Sequence, residues 1–512
     1  MISGILNNNS VLLSSFNLLT LLLIGCFLYG LSYVIYNLFF HPLRKYPGPL
    51  LWRATCIPWD LALFTGTLAS KSLPQHEKYG PIVRIRPNEL SYANAQVLQD
   101  VWAHKPGREE FAKDPRLTQR SPKGLLNILG AEKDDHARYR RLLAHAFSEG
   151  GMRKQEPLIA KYVDLLIDRY REKAESGESA DLVEWITMAT FDMIGDLALG
   201  EPFDSMKNRK PHPWIQATSG NIYWLFQSMP LRSRGLGWLN KYIMDESLLK
   251  LRKQNFGLAT EKIGKRLEYG GAERGDLWDR VIVRSADDNK SGQGMTQDEM
   301  EANVSVMVLG GSETTATVLS GVTYLLLKHP DKLAKLVGEI RSTFEKDDDI
   351  TLFSVSKLQY LHAVLDESMR LYMAVPIPMS RIPPKGGGIV CGEWLPENTT
   401  ITFSQLAAFR LSVNFHQPDL FIPERWLPSS NSPDSPFAKD NRAVFAPFSA
   451  GTRNCIGKTL GYAEMRLIVA KTMWHFDLEL DEQKMAGRGE WLDQKIWVFR
   501  DKKPLWVKNC LC

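Results

Sequence analysis

The sequence predicts a mainly α-helical protein with small β-sheets, preceded by one N-terminal transmembrane helix. Three observations predict this class. A long apolar run opens the chain, helical patterns recur through its middle and C-terminal parts, and the strand signals between them are short. No Gly/Ser-rich linker, low-complexity tract or internal repeat divides residues 45–512. We therefore predict an anchor over residues 1–43 and one catalytic domain over residues 44–512.

Composition places the chain among globular proteins with an ample hydrophobic core. It is 44% hydrophobic and 24% charged, and its net charge of +5 is mild. Because the basic residues do not form the runs expected of a nucleic-acid binder, no nucleic-acid partner is predicted. The six cysteines are scattered, without CxxC pairs or a disulfide framework, which is typical of a domain in a reducing compartment.

The N-terminal region has the properties of a membrane anchor. No charged side chain occurs before Arg44, and residues 11–40 are largely apolar, which is longer than the about 20 residues that span a bilayer. A cleaved signal peptide is the alternative, but its apolar core would be shorter and a small-residue cleavage site would follow. Arg44 and Lys45 follow instead, and positive charges there place the C-terminal side in the cytosol. The proline-rich segment 46–49 is predicted to be a semi-rigid hinge.

Short strands are predicted near both ends of the domain. Residues 82–86 and 90–92 have the composition of two strands joined by a turn. Residues 389–394 and 400–403 suggest a hairpin around Pro396-Glu397-Asn398. Helical patterns cover much more of the chain, at 158–173, 185–199, 296–327 and 458–476.

The helix predicted over residues 296–327 starts at a capping box and has an unusual centre. Gly310-Gly311 lie in its middle, and each glycine there costs about 1 kcal/mol relative to alanine. A flat cofactor that approaches the backbone explains this cost, and so does a notch against which another helix packs. Glu313 and Thr314 follow directly and place an acid beside an alcohol at the same point.

The stretch Phe448-Ser-Ala-Gly451-Thr-Arg453-Asn-Cys455-Ile-Gly457 carries the strongest chemical signal. Its glycines allow a tight turn that points amide N–H groups at the sulfur. A helix begins just after Cys455 and directs its positive dipole end at the same atom, so both effects favour a thiolate. A thiolate in such a loop suits an axial ligand of haem iron, whereas the alternative is a buried structural cysteine.

This stretch resembles the haem-binding loop of the cytochrome P450 family, Phe-x-x-Gly-x-Arg-x-Cys-x-Gly. Other motifs, in the family's order, extend the resemblance over nearly the whole chain after the N-terminal segment. The resemblance implies the cytochrome P450 fold, with haem b as the cofactor and Cys455 as the metal ligand. It also implies that Arg453 binds a haem propionate and that Phe448 belongs to the cofactor-binding loop.

The resemblance carries further roles onto single residues. Where the family usually has Trp-x-x-x-Arg with both side chains on a haem propionate, this chain has His136 and Arg140, one helical turn apart. Arg381 corresponds to another propionate partner. Glu313 and Thr314 match the family's oxygen-activating acid and alcohol, which implies a catalytic role for both.

Three further segments complete the comparison with the family. Glu367-x-x-Arg370 is implied to form a buried ionic network with Arg425, which lies in Pro423-Glu424-Arg425-Trp426. The segment from Phe111 to Gly130 corresponds to a loop over the haem. Leu492 is a candidate for the substrate pocket.

The resulting hypothesis is a membrane-anchored haem-thiolate monooxygenase, similar to fungal secondary-metabolism members such as trichothecene-pathway hydroxylases. It would insert one oxygen atom from dioxygen into an apolar terpenoid- or polyketide-type molecule. Its electrons would come from NADPH through NADPH–cytochrome P450 reductase, and its place would be the endoplasmic reticulum membrane, with a single span and a cytosolic domain. A haem-thiolate isomerase or dehydratase and a non-enzymatic haem-binding protein are the alternatives.

Overall fold

Helices dominate the protein, as the sequence predicts. The computed structural model describes residues 2–118, 120, 121, 123–243, 246–268, 274–288, 293–377 and 380–511. The helices of eight or more residues within those ranges are α1 (Ile2–Ile35), α2 (Ile57–Phe64), α3 (Ser72–Tyr79), α4 (Lys133–Leu143), α5 (Glu149–Ser176), α6 (Leu182–Leu199), α7 (Pro213–Gln227), α8 (Glu246–Glu268), α9 (Asp279–Asp288), α10 (Gln297–Lys328), α11 (Pro330–Thr343), α12 (Gln359–Leu371) and α13 (Lys458–His475). Shorter helices are Leu50–Ala54, Ala95–Val97, Ser205–Asn208, Met229–Arg232, Asn240–Ile243, Gln405–Arg410 and Glu482–Met485.

The strands are short and form three small sheets. They are β1 (Ile82–Arg86), β2 (Glu89–Tyr92), β3 (Ala112–Lys113), β4 (Ala180–Asp181), β5 (Arg381–Ile382), β6 (Gly388–Val390), β7 (Glu393–Leu395), β8 (Thr400–Phe403), β9 (Phe476–Leu480) and β10 (Trp506–Leu511). One sheet has the order β1-β2-β8-β5-β3, the second β4-β10-β9, and the third is the hairpin β6-β7. Only β2 and β8 run parallel to each other among these pairs.

The structure confirms the first predicted strand pair and corrects the second. β1 and β2 pair as neighbours in the five-stranded sheet. The predicted hairpin around residues 396–398 is wrong, because the chain already turns at Cys391-Gly392, where both residues have positive φ (50° and 80°). Residues 400–403 lie outside this hairpin and form β8, which pairs with β2.

The long central helix α10 begins as predicted. Thr296 is its N-cap, and the reciprocal hydrogen bonds of the capping box with Glu299 are both present. The helix packs along α6 and also contacts α12 and α13 within the largest cluster of buried apolar side chains. A helix surrounded in this way is held rigidly, so it can position side chains at its centre.

A second cluster of buried apolar side chains lies around the five-stranded sheet. A third joins α2, β1, the end of α7 and the C-terminal segment.

The N-terminal helix is long and apolar enough to cross a membrane. The candidate span is Phe16–Phe40, with a mean hydropathy of 2.2, and its most apolar 18-residue window is not buried against the rest of the protein. Beyond this span the structure differs from the predicted hinge. Pro47 accepts a 2.7 Å hydrogen bond from the Arg84 amide, and a Cβ on Gly48 would lie 2.3 Å from the Arg84 carbonyl oxygen. The proline segment is therefore packed on β1 and does not form a free hinge.

Candidate active site

The loop before Cys455 is held in a tight, specific shape. The Cys455 amide donates to the Phe448 carbonyl oxygen at 2.9 Å, and α13 begins three residues after the cysteine. Gly451 has a φ of 73°, and a Cβ there would lie 1.7 Å from the Trp102 carbonyl oxygen, so only glycine fits. The Phe448 ring packs on Tyr462 with a centroid distance of 5.1 Å.

The sulfur of Cys455 is reachable by solvent, although protein atoms crowd it. Burial raises the pKa of its thiol, while the Gly457 amide and the charges of Arg140 and Lys458 oppose that rise. The net direction is upward, so the loop and the helix dipole do not by themselves produce the predicted thiolate. A bound metal ion deprotonates a coordinating thiol, and haem iron would supply that effect here.

Arg140 and His136 lie on one face of α4, as predicted, but they differ in their contacts. The Arg140 guanidinium donates to the Asn454 carbonyl oxygen at 2.7 Å and to the Asn454 side-chain oxygen, so it holds the residue next to the cysteine. His136 is buried, and this burial together with the charges of Arg453, Lys113 and Arg140 lowers its pKa to about 4. The imidazole is therefore neutral near pH 7 and can donate a hydrogen bond without adding charge.

Arg381 and Arg453 lie together in a cluster of positive charge. Arg453 donates to Glu110 at 2.6 Å and to the Ala131 carbonyl oxygen at 2.8 Å. Arg381 is buried, and its Nη1 has no hydrogen-bond partner among the residues that the structure describes. Burial and the charge of Arg453 lower the pKa of Arg381 to about 10. A buried guanidinium with such a nitrogen, close to other positive charges, fits an anionic group such as a haem propionate.

Lys113 belongs to the same cluster and was not predicted. It lies opposite Arg381 in the pairing of β3 with β5. Burial and the charges of Arg381 and Arg453 lower its pKa to about 7. In the sequence, Lys113 is a lysine in a segment without periodicity, and nothing there distinguishes it from a solvated surface residue.

The two glycines at the centre of α10 are explained by different features of the structure. A Cβ on Gly311 would lie 2.6 Å from Ile194 Cδ1, so this glycine allows α6 to pack closely. A Cβ on Gly310 would meet no described atom within 4 Å apart from its own helix backbone, and Gly310 is exposed. Both predicted explanations therefore apply, one to each residue, and Gly310 marks a gap where a flat group can approach the backbone.

Thr314 and Glu313 lie at that gap but contact different partners. The Thr314 hydroxyl donates to the Gly310 carbonyl oxygen at 2.6 Å. Glu313 is buried and forms an ion pair with Lys502 of the C-terminal segment. Among the described residues, no hydrogen bond joins the acid to the alcohol, so the predicted pair consists of neighbours with separate contacts.

Glu464 is a buried acid that the motifs did not indicate. It lies on α13 and accepts a 3.2 Å hydrogen bond from Thr315, the residue after Thr314. Burial raises its pKa to about 8. This hydrogen bond joins the helix that follows Cys455 to the helix that carries the gap, so the two halves of the site are directly connected.

The predicted ionic network is present and fully buried. Glu367 accepts from Arg370 at 2.8 Å and from Arg425 at 3.2 Å, and none of the three side chains is exposed. The Trp426 indole N–H also donates to Glu367, at 2.9 Å. Arg425 in addition pairs with Asp440 at 2.6 Å.

A cavity lined mainly by apolar side chains lies between α2, the end of α7 and the five-stranded sheet. Trp59, Phe226 and Ile377 are among its walls. Cys455 is not among its described lining residues, whereas Ser380 and Asp114 line it and are next in sequence to Arg381 and Lys113 of the positive cluster. Pro378, shortly before Arg381 in the sequence, lies outside the described residues.

The C-terminal segment contains the predicted pocket residue Leu492 and two buried aromatic residues. Leu492 is partly buried against the main core. Trp497 and Phe499 instead share an apolar cluster with Leu309, which precedes the Gly310 gap.

A comparison with known protein families decides the assignment. The model of the family described as Cytochrome P450 matches residues 47–491. The chain belongs to the cytochrome P450 family. A versicolorin B desaturase of Emericella nidulans is 48% identical over 485 residues, which cover 95% of this chain and 97% of that protein. An averantin hydroxylase of Dothistroma septosporum is 45% identical over 482 residues, covering 94% and 89%. An averantin hydroxylase of Aspergillus parasiticus is 43% identical over 477 residues, covering 93% and 94%.

These findings establish the coarse biochemistry of the protein. It is a cytochrome P450 oxidoreductase of secondary metabolism, and its family uses haem with a cysteine thiolate ligand. Family membership also implies a small-molecule substrate and a redox partner. The apolar N-terminal helix is consistent with a single-pass membrane anchor.

Proposed function

We propose that this cytochrome P450 inserts one oxygen atom from dioxygen into a polyketide-type secondary metabolite, with electrons from NADPH. The observation that carries the proposal is the connection of the Cys455 loop to the Gly310 gap through Thr315 and Glu464, at 3.2 Å. A metal-binding cysteine and an open helix centre in one rigid unit suit binding and activation of a small molecule at the metal. Haem ligated by a thiolate, when bound, supplies the electron density that favours O–O cleavage.

The residues of this chain would have three separate roles, namely ligation of the iron, binding of the propionates and delivery of protons. Cys455 would ligate the iron, and Phe448 would pack beside that ligand. Arg381, Arg453, Arg140 and neutral His136 would bind the propionates, with Lys113 as a further cation of the cluster. Thr314 and Glu313 would deliver protons to the gap at Gly310, which makes them the catalytic pair.

The relatives' names suggest a narrower substrate class. Three relatives at 47–48% identity are named for versicolorin B and two at 43–45% for averantin, so we propose a substrate of that chemical kind. The test combines purified protein, a P450 reductase, NADPH and dioxygen with either compound. Product that depends on both NADPH and dioxygen is the expected result, and its absence with both compounds would exclude this substrate class.

Desaturation is a second candidate reaction, favoured because those relatives at 47–48% identity are named desaturases. The substrate would lose two hydrogen atoms, and both atoms of dioxygen would leave as water with two electrons from NADPH. Labelled dioxygen separates the two reactions. Oxygen insertion adds one labelled atom to the product, whereas desaturation yields a product two hydrogens lighter without label.

The domain division and location complete the proposal. Residues 1–43 would anchor the chain in the endoplasmic reticulum membrane, and residues 44–512 would form the cytosolic catalytic domain, which accepts electrons from NADPH–cytochrome P450 reductase. Full-length protein should stay in membrane fractions through an alkaline carbonate wash. Its recovery in the soluble fraction would contradict the anchor. Two alternatives, a haem-thiolate isomerase or dehydratase and a non-enzymatic haem-binding protein, would require neither NADPH nor dioxygen. The relatives' names, desaturase and hydroxylase, favour neither of these two alternatives.

A further inference from the structure

Glu313 has a charged partner that no motif indicated. The Lys502 ammonium forms an ion pair with Glu313 and donates to the Thr317 hydroxyl at 3.1 Å. The Thr317 hydroxyl in turn donates to the Glu313 carbonyl oxygen at 2.7 Å. The Lys502 and Glu313 side chains are only 7% and 6% exposed. The three residues therefore form a closed, largely dry group on one side of α10.

The other polar groups around Glu313 do not compensate its charge. Burial, followed by the charge of Glu313, raises the pKa of Tyr223. Burial also raises the pKa of Tyr372, so both phenols stay neutral. The guanidinium of Arg500 lies 4.2 Å from the Tyr372 ring centroid, and its Nε donates to the Met373 carbonyl oxygen at 3.4 Å. Within the described part of the chain, Lys502 is the cation in contact with the Glu313 carboxylate.

The Glu313 and Thr314 side chains leave α10 in different directions. Adjacent residues of an α-helix point about 100° apart. Thr314 faces the gap and donates to Gly310, whereas the Glu313 carboxylate is turned to the C-terminal segment. A proton that Glu313 gives toward the gap leaves a buried carboxylate behind, and an unpaired buried charge is costly.

We propose that Lys502 is a positioning residue that makes proton release by Glu313 possible, because its ammonium neutralises the carboxylate left behind. This inference rests on the proposed oxygen-activating function of Glu313. In the proton transfer, the Glu313 carboxylate first takes a proton from solvent water, the O–H bond so formed then breaks as the proton passes to the Thr314 side of the gap, and the carboxylate returns to Lys502. No electrons move in this step. Lys502 thereby acts on the chemistry only through Glu313.

The main test compares Lys502→Met with the parent enzyme in product formed, and hydrogen peroxide released, per NADPH oxidised. Product formed per NADPH should fall about tenfold, and peroxide released should rise. A tenfold fall is smaller than the ~100-fold effect typical of a group that transfers the proton itself. Lys502→Arg keeps the positive charge and should restore most of the coupling. Lys503→Met is the matched control, because Lys503 donates to the Glu490 carbonyl oxygen at 2.9 Å, outside this group.

A double variant shows whether Lys502 acts through Glu313. Glu313→Gln combined with Lys502→Met should be no worse than Glu313→Gln alone. Additive losses would overturn the proposal. If Lys502→Met does not fold with haem, Lys502→Gln keeps a hydrogen-bond donor without the charge and replaces it in every comparison.

Infrared spectroscopy gives a readout that requires no turnover. Without the ammonium, the buried Glu313 favours its protonated form, so Lys502→Met should gain a protonated-carboxyl band that Glu313→Gln removes. Absence of that band, or unchanged coupling in Lys502→Met, would refute the role of Lys502. The parent enzyme could form no oxygen-dependent product although Lys502→Met gains the protonated-carboxyl band. That result would contradict the proposed function but support the effect of Lys502 on Glu313.

Discussion

The Thr314 hydroxyl donates a 2.6 Å hydrogen bond to the Gly310 carbonyl oxygen, one turn earlier on α10. The bond ties the alcohol to the backbone at the point where Gly310 leaves the helix face open. A hydroxyl in this position can exchange its backbone partner for a group bound in the gap. We therefore propose Thr314 as the side chain that moves a proton there.

Replacing Thr314 with alanine tests this role. Alanine is a good helix former, so Thr314→Ala should fold and bind haem nearly as well as the parent. Loss of the hydroxyl should lower product per NADPH by about 100-fold and divert electrons to hydrogen peroxide. Thr323→Ala is the matched control, because Thr323 makes the same type of bond to Leu319, at 3.0 Å, further along α10. Equal coupling in both variants would remove Thr314 from proton delivery.

The Glu367 network should be essential for folding. Glu367→Ala leaves Arg370 and Arg425 buried without their carboxylate, which costs about 3–5 kcal/mol. We expect little folded, haem-loaded protein in expression trials. Asp419→Ala is the control, since Asp419 pairs with Arg410 at the surface and such pairs contribute about 0–1 kcal/mol. Normal haem content in Glu367→Ala would show that the network contributes little to stability.

Glu464 should make stability fall as the pH rises. Its pKa is raised to about 8 in the folded protein, so between about pH 4.5 and 8 the folded chain holds a proton that the unfolded chain has released. Stability linked to this group is therefore present at low pH and is lost as the pH rises toward 8. Glu464→Gln should reduce the loss between pH 5 and 8 by up to about 4 kcal/mol.

Denaturant unfolding at the two pH values measures this difference, with Glu479→Gln as an exposed control. The control should show the same pH dependence as the parent. A parent and a Glu464→Gln variant with equal pH dependence would mean that Glu464 is not held protonated by the fold.

Local signals in the sequence were sufficient for much of the fold. The capping box at Thr296 marked the start of α10, and the spacing of the Cys455 loop identified the family. The hairpin at 389–403 was misplaced because its turn is made by Cys391, a residue that rarely adopts positive φ. Only the tertiary pairing of β8 with β2 decides that strand's place.

The site was predicted less completely, for a physical reason. Residues within one motif are fixed by local spacing, whereas Lys502 and Glu313 are separated by 189 positions and meet only through packing. The same holds for Lys113 beside Arg381 and for Glu464 beside Thr315. From the sequence alone, each of these residues could be an ordinary surface or core residue. Only the folded structure shows which residues they contact.

The ligation of haem iron by Cys455 is the central claim, and one spectrum tests it most directly. The reduced protein with carbon monoxide should show the strongly red-shifted Soret band of thiolate-ligated haem. Cys455→Ala should lose that band, while Cys391→Ala, a variant of another partly buried cysteine, should keep it. A red-shifted band that persists in Cys455→Ala would contradict the account.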